Sequence, residues 1–407
     1  MFLIYNLEMD AYFKMPRNVY LLCLAQIIGM SAVTLVFLVG GFISVRIAPS
    51  PTLATLPLGL SFLGLAVATI PAPLLMKKIG RKKGFIFAAI ASAFVTLLSA
   101  FAVIQNNFYL FCFSIFLLGA HGAFVGQYRF ASLESVPKQL AGKAVGLTLL
   151  STVLAGVLGP EIAKRTKDIA PLEYAGSFFF LTGLFIMVAI ILTFFKNIKE
   201  QALEVSGSER PLSEIIKQPV FFIAALAATV GYGVMVFIMS ATPLQLHTVS
   251  HFSLENTAFV IQSHIVAMFL PSLFTGMLIQ KFGMFKVLIA GLLALALAVF
   301  TSINAHSLYS YWVALVLLGI GWNFLFIGST ILLPQSYTAP ERFKAQGVND
   351  FIFVISQVTG SLSAGSVLFG AGWVNLNLFT LPFIILTFAI FLMYRRKLSL
   401  KVVPSAK

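Results

Sequence analysis

Apolar side chains along this chain gather into long runs separated by short polar breaks. A helix that crosses a bilayer takes roughly 20 mostly apolar residues. Such runs cover 18–43, 51–76, 84–104, 108–133, 141–164 and 174–195, then 219–244, 256–281, 285–304, 308–333, 346–369 and 373–394. Pro and Gly inside several runs are compatible with this reading, because neighbouring helices can satisfy a freed backbone group. Residues 196–218, with Glu200, Glu204, Ser206, Gly207, Ser208 and Glu209, form the one long polar stretch and read as a linker. The expected layout is a tail (1–17), six helices (18–195), the linker, six more helices (219–394) and a closing tail (395–407).

The two halves resemble each other. Pro73 to Gly84 reads PLLMKKIGRKKG, a knot of cations between two apolar runs, and Gly276 to Lys286 reads GMLIQKFGMFK. Lys78 aligns with Lys281 and Gly80 with Gly283. Leu117–Gly119 returns as Leu317–Gly319, Phe124 as Phe324, and Lys143–Gly146 as Lys344–Gly347. Helices four and five are thus repeated as ten and eleven, a parallel repeat known among transporters.

Composition identifies the solvent. With 59% hydrophobic and 10% charged residues and a mean hydropathy of +0.98, the chain carries more apolar surface than a soluble core can hide. The net charge of +14 would suit a nucleic-acid binder, but its placement fits a membrane. If the N-terminus is cytoplasmic, only Arg46, Lys164, Arg165 and Lys167 of the 27 cations lie outside, leaving 23 inside. Both termini are then cytoplasmic. Compact loops and the lack of a cleavable leader suggest a bacterial inner membrane, with lipid as the surrounding partner and no nucleic acid. Cys23 and Cys112 fall inside apolar runs and read as small buried hydrophobes.

On the residues of the basic turn, the chain resembles the major facilitator superfamily, and the resemblance covers essentially its whole length. That family carries G-x-x-x-D-R-x-G-R-R between helices two and three. Here the positions are Pro73, Lys77, Lys78, Gly80, Arg81 and Lys82. The acid is replaced by Lys77 here and by Gln280 in the second copy. Drug/proton antiporters of the family carry a glycine ladder ending in Gly-Pro in helix five; the matching residues are Gly146, Ala155, Gly159, Pro160 and Ala163. Helix four has Gly119-Ala120-His121-Gly122 where the family often has a central Arg. The resemblance implies an all-α integral membrane fold of twelve transmembrane helices in two pseudo-symmetric six-helix bundles. It also implies alternating access, with Lys77, Lys78, Gly80, Arg81, Lys82, Lys281 and Gly283 in gating loops.

Carboxylates in a membrane are costly and tend to be functional. Asp350, about one turn into the eleventh run, suits the positive helix end or a latch to Lys77 or Arg81, and with Glu134, Glu161 and Arg129 it is a candidate for proton coupling. Glu134, five residues after Arg129, reads as a solvated pair with it or as a proton-linked acid. Glu161 has Lys164 and Arg165 at helical spacing, which suits a surface ion pair as well as proton coupling. At mid-depth lie Gln26, His121, Tyr232, Trp322, Asn323 and Gln357, each either a solute contact or an interhelical hydrogen bond. This uncharged lining suits a small, weakly charged organic solute. The five histidines form no H-E-x-x-H spacing and no nucleotide-binding loop occurs, so neither an enzyme nor a pump is expected. No cofactor or metal is expected. The expected function is secondary transport by a monomer, as proton-coupled efflux. Proton-coupled uptake of a nutrient, vitamin or siderophore is the nearest alternative, and a transport-inactive receptor or scaffold the alternative of another class.

Overall fold

The computed structural model describes residues 15–137, 140–196, 210–338 and 340–395, and every regular element among them is helical. Lys14, Lys138, Lys199, Arg396, Lys397, Lys401 and Lys407 lie outside the described residues, as do Glu200, Glu204 and Glu209. Lipid offers a peptide group no hydrogen-bond partner, so a chain this apolar must satisfy its backbone within each helix.

Helix one is Arg17–Ile47, and helix two is broken into Leu56–Ala68 and Pro71–Ile79. Helix three is Arg81–Ile104. Helix four is Phe108–Val125, extended by Tyr128–Glu134. Helices five and six are Ala141–Thr166 and Ala175–Thr193. Helix seven, Pro219–Pro243, runs into a wider π turn at Leu244–Val249. Helix eight is Leu254–Phe269 and Ser272–Phe282, bent by 44°. Helices nine and ten are Met284–Ile303 and Leu308–Leu332.

The last apolar stretch, Lys344–Met393, holds 50 residues, about 75 Å of helix and more than two crossings' worth. Gly372, at φ 83°, breaks it into helices eleven and twelve, the latter completed by Leu381–Met393. Twelve crossings result.

Contacts divide the chain into two compact units, 1–47 with 60–201 and 48–59 with 202–407. The segment 48–59 thus groups with the second unit and not with the first half. Thr55 Oγ1 there accepts a hydrogen bond from Gly365 N at 2.9 Å.

Within each unit, glycines let helices touch through their backbones, the packing available where lipid is as apolar as leucine. A Cβ at Gly159 would stand 2.5 Å from Ser31 O and 2.9 Å from Leu35 N of helix one. One turn away, Thr34 Oγ1 donates to Ala155 O at 2.9 Å. The repeated Leu-Leu-Gly now has a reason: Gly119 lies against the backbone of Ser61 in helix two, and a Cβ on Gly319 would stand 2.8 Å from His264 O of helix eight. Gly146 has nothing within 4 Å of its would-be Cβ, so it is not a packing glycine.

The second unit contains an ion pair on a buried carboxylate, which no spacing in the sequence marks. Glu341, its side chain 1% exposed, accepts from Arg210 Nε at 2.7 Å, Nη2 at 2.6 Å and N at 2.9 Å. Thr338 N donates to it at 2.8 Å. These donors favour the charged form and hold the Glu341 carboxyl well below the usual range, while the same bonds raise Arg210. The pair ties the residues before helix seven to the turn before helix eleven.

Replacing Gly159 by Leu is expected to cost about 1–3 kcal/mol by overpacking, read as a lower melting temperature in detergent. Gly146→Ala should leave melting unchanged or raise it slightly, since Ala is favoured over Gly inside a helix by about 1 kcal/mol. A carboxylate depressed in the folded chain stabilises it above the ordinary value of about 4.3, and that contribution fades as pH falls toward the folded value. Glu341→Gln should therefore melt lower than the parent at pH 7, with the difference shrinking as the pH is lowered below about 4.

Candidate functional site

The mid-depth polar groups fall into two sets, one per unit. In the first unit, Gln26 of helix one donates from Nε2 to Thr152 Oγ1 of helix five at 3.1 Å. Its Oε1 is buried without a partner. His121 of helix four stands edge-on to Phe185 at 5.0 Å. Neither ring nitrogen has a hydrogen bond of ordinary geometry, although the Ala88 backbone is close. Gly29 makes room for this ring: a Cβ there would stand 3.2 Å from Nε2. Two buried polar side chains thus keep hydrogen-bonding capacity in a place where leaving it unused costs about 1–3 kcal/mol per group.

In the second unit, Tyr232 of helix seven is stacked on Phe353 of helix eleven, centroids 4.8 Å apart and planes at 11°. Its edge meets Trp322 at 5.1 Å and Phe326 at 5.2 Å, both on helix ten. Trp322 is buried, stacks on Phe326 at 4.9 Å, and leaves Nε1 without a partner. Tyr232, Phe326 and Phe353 are only half-buried. The result is an aromatic surface with a polar edge, able to hold a flat ring by stacking. Phe326 and Phe353 were missed because only polar residues were counted at this depth. Their spacing was visible: Phe326 is four after Trp322, and Phe353 four before Gln357, so each pair shares a helix face. Gln357 is buried in helix eleven.

Asn323 has a different role from its neighbour. Its Nδ2 donates to Met268 O at 2.7 Å and Ser272 Oγ at 2.6 Å, and its Oδ1 accepts from Thr275 Oγ1 at 2.6 Å. Every one of these partners flanks the break in helix eight, where Pro271 supplies no N–H. The amide is spent on bridging that break, so Asn323 positions helix eight.

The charged candidates are rearranged relative to expectation. Glu134 pairs with Arg81 rather than Arg129: Nε and Nη2 of Arg81 donate to it at 2.7 Å and 2.5 Å. The short helix Tyr128–Glu134 turns the acid toward the start of helix three. Arg129 lies over the Phe130 ring at 4.8 Å with its Nε buried and unpartnered. Glu161 is paired with both Lys164 and Arg165. Helix eleven begins at Arg342, so Asp350 sits more than two turns in, beyond the reach of the helix-end field. Asn349 Nδ2 donates to it at 3.3 Å.

The two basic turns share one backbone. Gly80 has φ 85° and ψ 152°, Gly283 has φ 88° and ψ 152°, and each amide donates to the carbonyl four residues back. Positive φ explains why glycine recurs at both positions. Lys77 and Lys78 close one helix, while Arg81 and Lys82 open the next. In the second copy Lys281 stands in the last turn before Gly283.

Comparison with known proteins agrees with this architecture. A family model described as Major Facilitator Superfamily matches residues 21–285. Riboflavin transporter RfnT of Brucella anthropi is 33% identical over 373 residues, covering 91% of this chain and 94% of the relative. The MFS-type transporter YddS of Bacillus subtilis is 27% identical over 405 residues, covering 95% of this chain and 92% of the relative. A solved structure of a bacterial homologue of the human lysosomal transporter Spinster, inward-facing and unoccupied, matches with a TM-score of 0.74 at 15% identity. That match covers 94% of this chain and 98% of the other, and it speaks for the fold alone. The family match and the kinship to RfnT over nine-tenths of the chain make this protein a member of the Major Facilitator Superfamily, a multi-pass membrane transporter and not an enzyme.

Proposed function

We propose that this transporter carries a flat, uncharged heteroaromatic solute of the riboflavin class into the cell. The observation that carries the reading is the 33% identity to a riboflavin transporter over 373 residues. The aromatic surface of Tyr232, Phe326 and Phe353 suits a fused planar ring. Taken by itself, the first unit holds spare hydrogen-bonding capacity at Gln26 and His121, suited to the polar groups of an uncharged solute.

Uptake is preferred to the efflux expected from the helix-five ladder. Gly159 is occupied by packing on helix one, and Gly146 makes no close contact, so the ladder carries no argument for export. Coupling to protons is part of the proposal, with Asp350, more than two turns inside helix eleven, as the carrier, because a carboxylate within a membrane helix tends to be functional. Both termini are proposed to be cytoplasmic in a bacterial inner membrane. Support comes from Arg46 and Lys167, which meet around Glu173 at the end of the first unit assigned to the outside.

The test is accumulation of labelled riboflavin in cells that can neither make nor import it, with and without this chain. Uptake that appears with the protein and collapses with a protonophore is expected. Riboflavin that binds the purified protein without crossing proteoliposome membranes would instead make it a receptor. Tyr232→Ala should raise the apparent KM about two- to tenfold, the equivalent of one lost stacking partner, with Tyr232→Phe near the parent. Asp350→Asn should remove the response to a pH gradient, which Glu134→Gln and Glu161→Gln should retain.

A further inference from the structure

We propose that the turn between helices two and three is a docking surface for the headgroups of anionic phospholipids. The proposal does not depend on which solute is carried. Lys77, Lys78 and Lys83 are exposed, with Arg81 and Lys82 between them in sequence. Arg81 is taken up by Glu134. The second basic turn acts as an internal control. Its glycine has the same dihedral angles, yet it carries Gln280, Lys281 and Lys286 in place of the five cations. The backbone therefore does not require the extra lysines. Arg81, Lys82 and Lys83 also stand in the first turn of helix three, the positive end of its dipole, where cations are disfavoured. The exposed ammonium groups of Lys77, Lys78 and Lys83, gathered at this turn, favour an external anion.

The surroundings say where that anion resides. The short helix Pro71–Ile79 buries Ala72 and Met76, and Met76 is packed against Gly84 at the start of helix three. On the other side Ile70 is 70% and Leu74 56% exposed. Ile70, Leu74, Lys77 and Lys78 follow the i, i+4, i+7, i+8 pattern of one helix face. Apolar residues leading into lysines along such a face match the boundary between acyl chains and headgroups, where lysine stems lie in the apolar layer and ammonium groups reach the phosphates. A soluble anion would have no use for the exposed Ile70 and Leu74. A phospholipid uses both ends of the face.

The experiment uses the purified full-length chain, titrated with phosphatidylglycerol or phosphatidylcholine and read by lipid retention in native mass spectrometry. Phosphatidylglycerol should be held at least tenfold more tightly, with the preference shrinking at high salt. Lys77→Gln with Lys78→Gln and Lys83→Gln should weaken it roughly fivefold per lysine, about a hundredfold together. The matched pair Lys281→Gln with Lys286→Gln should change it less than the triple, and arginine at the three positions should preserve it. Equal retention of the two lipids by the parent chain overturns the proposal, and that comparison stands even if the triple variant fails to fold. So does a triple variant that binds like the parent, or displacement of the lipid by millimolar inorganic phosphate, which would mark a site for free anion.

Discussion

Backbone amides and carbonyls in the membrane-spanning helices must find partners without water, and that requirement shapes the rest of the structure. Unbroken helices meet it by themselves. Broken ones do not, and at two of the breaks polar side chains supply hydrogen bonds. Helix eight loses a donor at Pro271, and Asn323 crosses from helix ten to serve Met268 O, with Ser272 and Thr275 completing the network. In helix two, Thr69 Oγ1 donates to Leu65 O at 2.7 Å beside the break before Pro71. An asparagine in a membrane helix is therefore first a repair to the backbone, and only then a candidate for binding.

The same solvent makes close approach the means of holding helices together. Without a hydrophobic gain from leaving water, helices associate by contact and by hydrogen bonds, so small residues mark the crossings. Gly119 and Gly319 do this for corresponding helix pairs in the two units, which explains why the Leu-Leu-Gly repeat persists where other residues have diverged. Gly159 does it where helix five meets helix one, and Gly360 at the matching crossing of helices eleven and seven, where a Cβ would stand 3.2 Å from Gly233 O.

Charge is arranged on a second principle. Glu341 is almost completely buried against a half-exposed Arg210, and each is satisfied by further hydrogen bonds. A carboxylate removed from water is tolerable on those terms and costly on any other. Glu134 is claimed by Arg81 across a turn in the chain, leaving Arg129 to lie on an aromatic ring. The cations of the first basic turn exceed what the turn needs, and their surplus is directed outward.

The sequence by itself determined the membrane, the twelve crossings and the internal repeat. These depend on run lengths, composition and the residue types at two glycine turns, all local properties that lipid enforces without reference to a partner. The position of Asp350 was misjudged by more than a turn because apolar runs do not mark where a helix begins. Which polar groups at mid-depth are free was decided only by tertiary structure. Trp322 and Asn323 are neighbours in the chain, yet one joins an aromatic cluster with Tyr232 and Phe353, and the other is consumed by helix eight. Likewise Glu134 has Arg129 five residues before it in sequence and Arg81 within hydrogen-bonding distance in space. The partner of a buried polar group comes from another helix, and no spacing along one helix specifies which atoms that neighbour will present.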